Sequence, residues 1–132
     1  MTTVRSDLNL TGNLSNYMAE ARNHPLPPDV DREAKHRILD GLASIVSGST
    51  LKPGQMALQY VRSLGGTPES MLMTTNDVSS AANAAMANGM LGHSDETDDF
   101  DPSSKAHPGC SVIPAAWAMA ERDSPTGTDL VR

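Results

Sequence analysis

An alanine-rich stretch, VSSAANAAMANGMLG at residues 78–92, restricts the fold of this chain more than any other feature. Residues four apart lie on one face of a helix, and two such rows run along the stretch. The first row holds Ala81, Ala85 and Gly89, and the second holds Ala82, Met86 and Met90. Because small side chains let a neighbouring helix approach closely, the stretch predicts a long helix in a close-packed helical fold, capped at Asn76 or Asp77.

The large apolar residues that usually form a core are scarce. Leu, Ile, Val and Phe make up about 17% of the 132 residues, whereas Ala contributes 15 residues and Met 8. So low a fraction, joined to high charge, is typical of disordered chains. Since alanine and methionine supply the remaining apolar surface, we instead expect one helical domain that packs against more chain or another subunit.

Apolar spacing predicts an all-α fold of about five helices with a long acidic loop. The clearest helix starts at the Pro28 turn, where acidic residues complement the helix dipole, and ends at Gly48. Lys52-Pro53-Gly54 is interpreted as a break before an apolar stripe that runs from Met56 to Leu64. The other predicted elements are a helix over 14–22, a strand or connector over 69–75, a helix over 111–121 and a helix start at 128–132.

The predicted domain covers residues 13–132, and residues 1–12 are expected to be frayed. A helix of one turn is marginal in water, so the last predicted helix indicates a domain that is incomplete at its C-terminus. We therefore expect the chain to be a fragment of a longer protein.

Charge and cysteine content exclude several classes of function. The net charge is −6, and residues 93–101 carry most of it, so nucleic acid and anionic membranes are not expected partners. No run of about 18 apolar residues is present, and a transmembrane helix is therefore not predicted. Cys110 is the single cysteine, so no disulfide can form within the chain, and this favours a cytoplasmic location.

The sequence HSDETDDFDPSSKAHPG, residues 93–109, is called the acidic segment below. It holds five carboxylates between His93 and His107, and it ends in a Pro-Gly turn before the next helix. The plainest interpretation is a solvated loop, but a negative cluster at the C-terminal end of a helix opposes the helix dipole. Crowded carboxylates raise one another's pKa and orient a neighbouring imidazole, which favours a proton-transfer site.

Metal binding is a further interpretation of the acidic segment. The alternating oxygens resemble a calcium loop, but Phe100 and Ala106 occupy positions that require Gly and Glu. Zinc bound through His93, His107 and a carboxylate stays open on spacing alone. Cys110 lies at a predicted helix start, where a thiolate would be stabilised, although a lone cysteine is more often a small buried residue.

Three stretches together resemble the MmgE/PrpD family: LPPDVDREAKHRILDGLA, ANAAMANGMLGHSDETDDF and HPGCSVIPAAWAMAE. The resemblance extends over about residues 12–132. It implies an all-α N-terminal domain of an enzyme several hundred residues long, usually a homodimer, with a second lid domain. It also implies a lyase or isomerase that acts on citrate-like polycarboxylates without a metal or organic cofactor.

Carried onto this chain, the resemblance implies catalytic roles for His107 and Glu96, with Glu96 as the carboxylate partner of the imidazole. It matches His93, Asp98 and Asp99 to the remaining motif positions, which we interpret as substrate-binding or loop-organising. Glu96 stands where the family commonly has Asp, and Thr97 where it commonly has an aromatic residue, so the substrate and the choice among dehydration, decarboxylation and isomerisation stay open.

The chain alone is expected to show little activity, because other catalytic residues of the family lie beyond position 132. Two further hypotheses belong to other classes of function. A non-catalytic helical module that dimerises through its Ala/Met helices is the alternative. A metal-binding helical protein is the third hypothesis.

Overall fold

The computed structural model describes residues 9–21, 23–124 and 126–132, which form six helices and one two-stranded sheet. In chain order the elements are α1 Leu10–Ala21, α2 Pro28–Gly48, α3 Lys52–Leu64, β1 Ser70–Met71, β2 Val78–Ser79, α4 Ala81–Gly92, α5 Gly109–Asp123 and α6 Gly127–Val131. The all-α prediction is confirmed, and the predicted helix start at 128–132 corresponds to α6. Residues 10–12, the last of the stretch predicted to be frayed, form the first turn of α1, and residues 1–8, Arg22 and Pro125 lie outside the described ranges.

Helix α4 is the centre of the fold, and it packs against α2, α3 and α5. Its inner residues are fully or almost fully buried, and they are Ala81, Ala84, Ala87, Asn88, Leu91 and Gly92. Around them the core is completed by Ile45, Leu58, Val61, Leu72 and Met73, with Leu42 and Trp117 at its edge. The alanine-rich stretch therefore forms a close-packed helix, but the predicted rows are not its buried face. The row of Ala82, Met86 and Met90 is exposed, and the first row is fully buried only at Ala81.

Glycines let the backbones of three helices meet at the end of α4. A Cβ on Gly89 would overlap the carbonyl oxygen of Cys110 in α5, and a Cβ on Gly48 would overlap the carbonyl of Leu91. Close approach of backbones is the reason that these positions need no side chain. The ends of α2, α4 and α5 are consequently held together where the acidic segment leaves the core.

The hairpin formed by β1 and β2 is antiparallel, with Ser70 opposite Ser79. The buried Asn88 side chain of α4 holds the adjoining backbone: its Oδ1 accepts a hydrogen bond from Met73 N at 2.9 Å, and its Nδ2 donates one to Met71 O at 3.0 Å. Because buried backbone groups require partners, one amide here satisfies two of them. The hairpin is therefore fixed to the central helix by polar bonds as well as by packing.

Two predicted boundaries are wrong for identifiable reasons. Lys52-Pro53-Gly54 starts α3 instead of breaking the chain, because proline lacks the N–H that a first helical turn leaves unpaired. Helix α4 begins at Ala81 and is capped by Ser80, whose Oγ accepts from Asn83 N, rather than by Asn76 or Asp77. The residues predicted as its first turn, Val78 and Ser79, pair in the hairpin.

Two observations complete the fold. Helix α6 is started by a capping box in which Thr126 and Asp129 exchange side-chain and backbone hydrogen bonds. Within the described ranges, no helix has both the length and the apolar character that crossing a membrane requires.

Candidate functional site

The acidic segment is a loop whose two ends meet at the same point of the fold. His93 caps the C-terminal end of α4, and an isolated bridge between Asp101 and Ala106 turns the chain back to His107, just before α5. The imidazole rings of His93 and His107 therefore come within 4.8 Å of each other, centroid to centroid, in an edge-to-face arrangement. Phe100 packs against the other side of His107, at 5.2 Å.

Asp98 is the buried centre of this histidine pair. Its side chain is only 2% exposed, and its two carboxylate oxygens lie 3.1 and 3.2 Å from Nδ1 of His93. The same carboxylate lies 3.4 Å from Nδ1 of His107, a nitrogen that is itself shielded from solvent. A carboxylate that accepts a hydrogen bond from Nδ1 of a neutral imidazole leaves Nε2 free to take up a proton, and Asp98 is within hydrogen-bond distance of Nδ1 of His93. Nδ1 of His107 lies at ion-pair distance from the same carboxylate without a hydrogen bond.

The other aspartates of the acidic segment each have their own donor. Asp95 accepts hydrogen bonds from Ser47 and from Thr97 Oγ1, and these bonds, the Ser47 bond foremost, lower the pKa of Asp95. Asp101 accepts from Ser104 Oγ at 2.5 Å and Ser103 Oγ at 2.7 Å, which places the pKa of Asp101 well below its ordinary value.

These shifts oppose the expectation that crowding raises the pKa of the carboxylates. The physical reason is that Asp95 and Asp101 keep contact with solvent while hydroxyl groups bond to their ionised form. Asp95 and Asp101 are thus stabilised by hydroxyl and backbone donors. Asp99 follows the same rule, because its Oδ1 accepts from Gly109 N at 2.8 Å and thereby holds the start of α5.

Glu96 does not lie where the motif predicts it. It is exposed, adopts a left-handed backbone with φ of 56°, and its side chain has no hydrogen bond or ion pair to the residues that the structure describes. The expected pairing of Glu96 with His107 is therefore wrong, and Asp98 takes that position. Spacing alone could not distinguish Glu96 from Asp98, since the direction in which each side chain points depends on the turn between them.

The structure thus brings His93, Asp98 and His107 together and leaves Glu96 outside the cluster. Asp99 lies nearby and accepts a hydrogen bond from the backbone N–H of Gly109. Their roles in catalysis and substrate binding stay predictions. The contacts that spacing could not reveal come from α2, where Ser47 binds the acidic segment and Arg37 borders a small cavity beside Asp98. No local signal connects residues that lie about fifty positions apart.

Cys110 is the fourth polar side chain at the histidine pair. Its Sγ donates to the carbonyl oxygen of His107 at 3.1 Å. Burial, and next the hydrogen bond to Asp98, raise the pKa of Cys110. The stabilisation of a thiolate that a helix start offers is therefore outweighed, and the residue is a protonated thiol at neutral pH.

An open groove of about 600 Å³ gives access to this cluster, and we call it the α4–α5 groove. His93 and Cys110 lie along it, together with apolar side chains that include Met86, Met90 and Pro53. The groove can thus present an imidazole to a small molecule beside apolar side chains.

Comparison with known proteins identifies the class. The sequence pattern of the MmgE/PrpD N-terminal domain matches residues 12–132. The chain belongs to the MmgE/PrpD family. This membership confirms both the resemblance and the all-α N-terminal domain.

One similar protein of the family is the "Cis-aconitate decarboxylase-like protein oryM" of Aspergillus oryzae (strain ATCC 42149 / RIB 40), which is 28% identical over 116 residues. The match covers 88% of this chain but 24% of the relative, so the chain spans about a quarter of that protein's length.

Proposed function

We propose that this MmgE/PrpD chain contributes one half of the active site of a lyase, which removes water or carbon dioxide from a citrate-like polycarboxylate. Family membership and the name of the A. oryzae relative support the lyase class. The structural observation that carries the proposal is the buried Asp98 carboxylate, which faces Nδ1 of both His93 and His107. Histidine is the side chain that most often transfers protons in enzymes, and here one carboxylate faces two of them.

In this proposal His107 is the acid–base group and Asp98 is its positioning residue. A base takes the proton from a carbon next to a carboxylate, the bond to a neighbouring hydroxyl breaks, and an acid protonates the departing hydroxyl to give water. In decarboxylation a carbon–carbon bond breaks instead, carbon dioxide leaves, and the carbon takes up a proton. The buried Asp98 anion stabilises the imidazolium that forms in either sequence.

His93 is proposed as the substrate contact, because its side chain is 47% exposed and lies along the α4–α5 groove. Asp99 organises the entry to α5, and Glu96 is placed to meet substrate or a neighbouring part of the enzyme from the loop surface. By itself this acidic segment would bind a polycarboxylate only weakly, because its own carboxylates oppose the negative charge of the ligand. We therefore propose that basic side chains from a further part of the enzyme hold the substrate's carboxylates.

Imidazole NMR tests the proposal directly, because the chain has only four histidines. Titration with cis-aconitate should shift the ring signals of His93 and His107, while His24 and His36, which lie outside the cluster, serve as internal controls. Acetate at the same ionic strength should shift none of them. Equal shifts of all four rings, or no shift at any cis-aconitate concentration, would overturn the assignment of this site to polycarboxylates.

Turnover provides a second test. The 132-residue chain by itself should convert 2-methylcitrate or cis-aconitate little, since the cations that bind substrate are supplied elsewhere. Robust turnover by this chain would contradict the division of the site. The same proposal includes a homodimer and a reducing, cytoplasmic compartment. Sedimentation velocity measures whether the protein is a dimer.

A second candidate function, a helical interaction module, is favoured by one observation. Helix α1 has no buried residue, and its apolar side chains Leu10, Leu14, Tyr17 and Met18 are all exposed. Such a module should self-associate and should show no increase in melting temperature with polycarboxylates. The proposed lyase should show that increase.

A further inference from the structure

Three kinds of metal-binding side chain meet where α4 ends and α5 begins. An imidazole nitrogen of His93, a carboxylate oxygen of Asp98 and the Cys110 sulfur all lie within 4.8 Å of one another. They differ in exposure, because Asp98 is buried, Cys110 is half-buried and His93 is open to solvent. The cluster therefore has a fixed interior, formed by Asp98 and Cys110, and an accessible face, formed by His93.

We propose that His93, Asp98 and Cys110 bind a divalent cation of the Zn²⁺ class. Zn²⁺ accepts nitrogen, sulfur and oxygen ligands together, whereas Mg²⁺ and Ca²⁺ are bound almost entirely by oxygen. This set of ligands differs from the one that spacing suggests. That set uses His93, His107 and a carboxylate, and it does not include Cys110. The site goes beyond the proposed lyase chemistry, which uses no metal.

The distances are compatible with such an ion after a small closure. Bonds of about 2.0–2.3 Å to the metal put the ligand atoms of a tetrahedral site about 3.3–3.8 Å apart, so the widest pair must approach by about 1 Å. The exposed His93 side chain can supply that movement, because it is the least constrained of the three. A fourth position remains for water or for a ligand from the α4–α5 groove.

The surroundings support the fixed half of the site. Asp98 faces His107, whose buried Nδ1 lies 3.4 Å from the carboxylate, within ion-pair distance, and has no hydrogen-bond partner among the described residues. Cys110 is held where the α4 backbone meets α5, at the close approach of Gly89. On binding, the thiol loses its proton to solvent and a sulfur–metal bond forms, which balances the step.

An ion bound here would have a definite consequence if the proposed function holds. It would occupy Asp98 and His93 at once, so it would inhibit the lyase and would not serve as its cofactor. The test of the site itself requires no substrate. Failure of the metal site therefore leaves the proposed function intact, and failure of the lyase proposal leaves the metal site intact.

Co²⁺ is the suitable probe, because a cobalt–thiolate bond gives a charge-transfer band in the near ultraviolet and tetrahedral Co²⁺ absorbs strongly in the visible. The reduced 132-residue chain should show both features on titration with Co²⁺, and Zn²⁺ should abolish them by displacement. Mg²⁺ and Ca²⁺ in large excess should leave them unchanged. Absence of the thiolate band would overturn the proposal.

Matched variants identify the ligands. Cys110→Ser should remove the thiolate band. It should also weaken Zn²⁺ binding by about 10–100-fold or more, because changes to the partners of metal ligands alone have effects of that size. His93→Gln, a change at an exposed side chain, should weaken it similarly and serves if Cys110→Ser does not fold. His36→Gln, on the exposed part of α2, should bind Zn²⁺ like the wild type. Equal affinity in all four proteins would overturn the assignment.

Discussion

The inner face of α4 and the acidic segment are consecutive in the chain, yet they are stabilised by different means. The helix face is stabilised by close packing, because its small side chains allow backbone contact with α2 and α5. The acidic segment is held by donors, since four of its five carboxylates each accept from a hydroxyl, an imidazole or a backbone N–H. Asp98 belongs to both regions, because it is a charged group at the edge of the core.

This difference teaches where substitutions should matter. Loss of volume from the helix face leaves a cavity that the neighbouring helices cannot fill, so its cost is large. Loss of one donor from the acidic segment exposes a carboxylate to water, which replaces the missing bond at small cost. The following experiments can sharpen or contradict that contrast.

The largest effect is expected for Leu91→Ala on the helix face. Leu91 is fully buried in the core, and truncation of such a residue costs about 2–5 kcal/mol in the free energy of unfolding. Leu39→Ala on α2, where the side chain is 67% exposed, should change that free energy by less than about 0.5 kcal/mol. Urea unfolding of both variants measures the ratio, and similar losses would contradict the assigned core.

Asp98→Asn should have the next largest effect, although it lies in the acidic segment. The amide keeps the shape of the side chain but removes the anion that both imidazoles face, and bonds to charged groups contribute about 1.5–3 kcal/mol. The ring signals of His93 and His107 should move in the NMR spectrum, which a purely structural loss elsewhere would not cause.

Glu96→Gln is the matched control for Asp98→Asn. Its side chain is exposed and has no partner among the described residues, so the free energy of unfolding should change by less than about 0.5 kcal/mol. If Glu96→Gln moved the imidazole signals as much as Asp98→Asn does, Glu96 would be the true partner of the histidines.

Asn88→Ala tests the one polar anchor of the helix face. The change leaves Met73 N and Met71 O without their partner, and an unsatisfied buried group costs about 1–3 kcal/mol. Hydrogen exchange at Met73 should accelerate in this variant. Asn83→Ala removes an exposed bond to Gly65 O, so a comparable loss of stability there would argue against the importance of burial.

The smallest effect is expected at Asp101 and depends on pH. Bonds from Ser104 and Ser103 lower the pKa of Asp101 below the unfolded value of about 3.9, so the folded state is favoured when the group is ionised. This contribution is complete above the unfolded pKa and is lost as pH falls through the folded one. Acid unfolding of Ser104→Ala should therefore show a shallower loss of stability below pH 4, and Ser63→Ala on α3 should match the wild type.

Much of the fold could be predicted from local pattern. The apolar stripe of α2 and the small-residue face of α4 gave correct helices, because helical period and small side chains act within one segment. The start of α3 and the cap of α4 were misplaced. A proline can begin a helix as well as end one, and pairing in the hairpin competes with helical capping for Val78 and Ser79.

The candidate site was predictable only in part. The motif placed His93, Asp98, Asp99 and His107 near one another, and the structure agrees. The acid that faces the imidazoles could not be chosen from sequence, because the chain turns through a left-handed residue at position 96 and only packing buries Asp98. The approach of Cys110 to His93 and Asp98 depends on where α5 crosses α4, and no local pattern encodes that crossing.

The sequence by itself determined a close-packed helical chain with an acidic loop between two imidazoles, since side-chain size, period and charge are local properties. Tertiary structure alone decided that Asp98, and not Glu96, joins those imidazoles. The physical reason is burial: a carboxylate gains strong partners only where packing removes water from it, and the packing of α2, α4 and α5 selects that position.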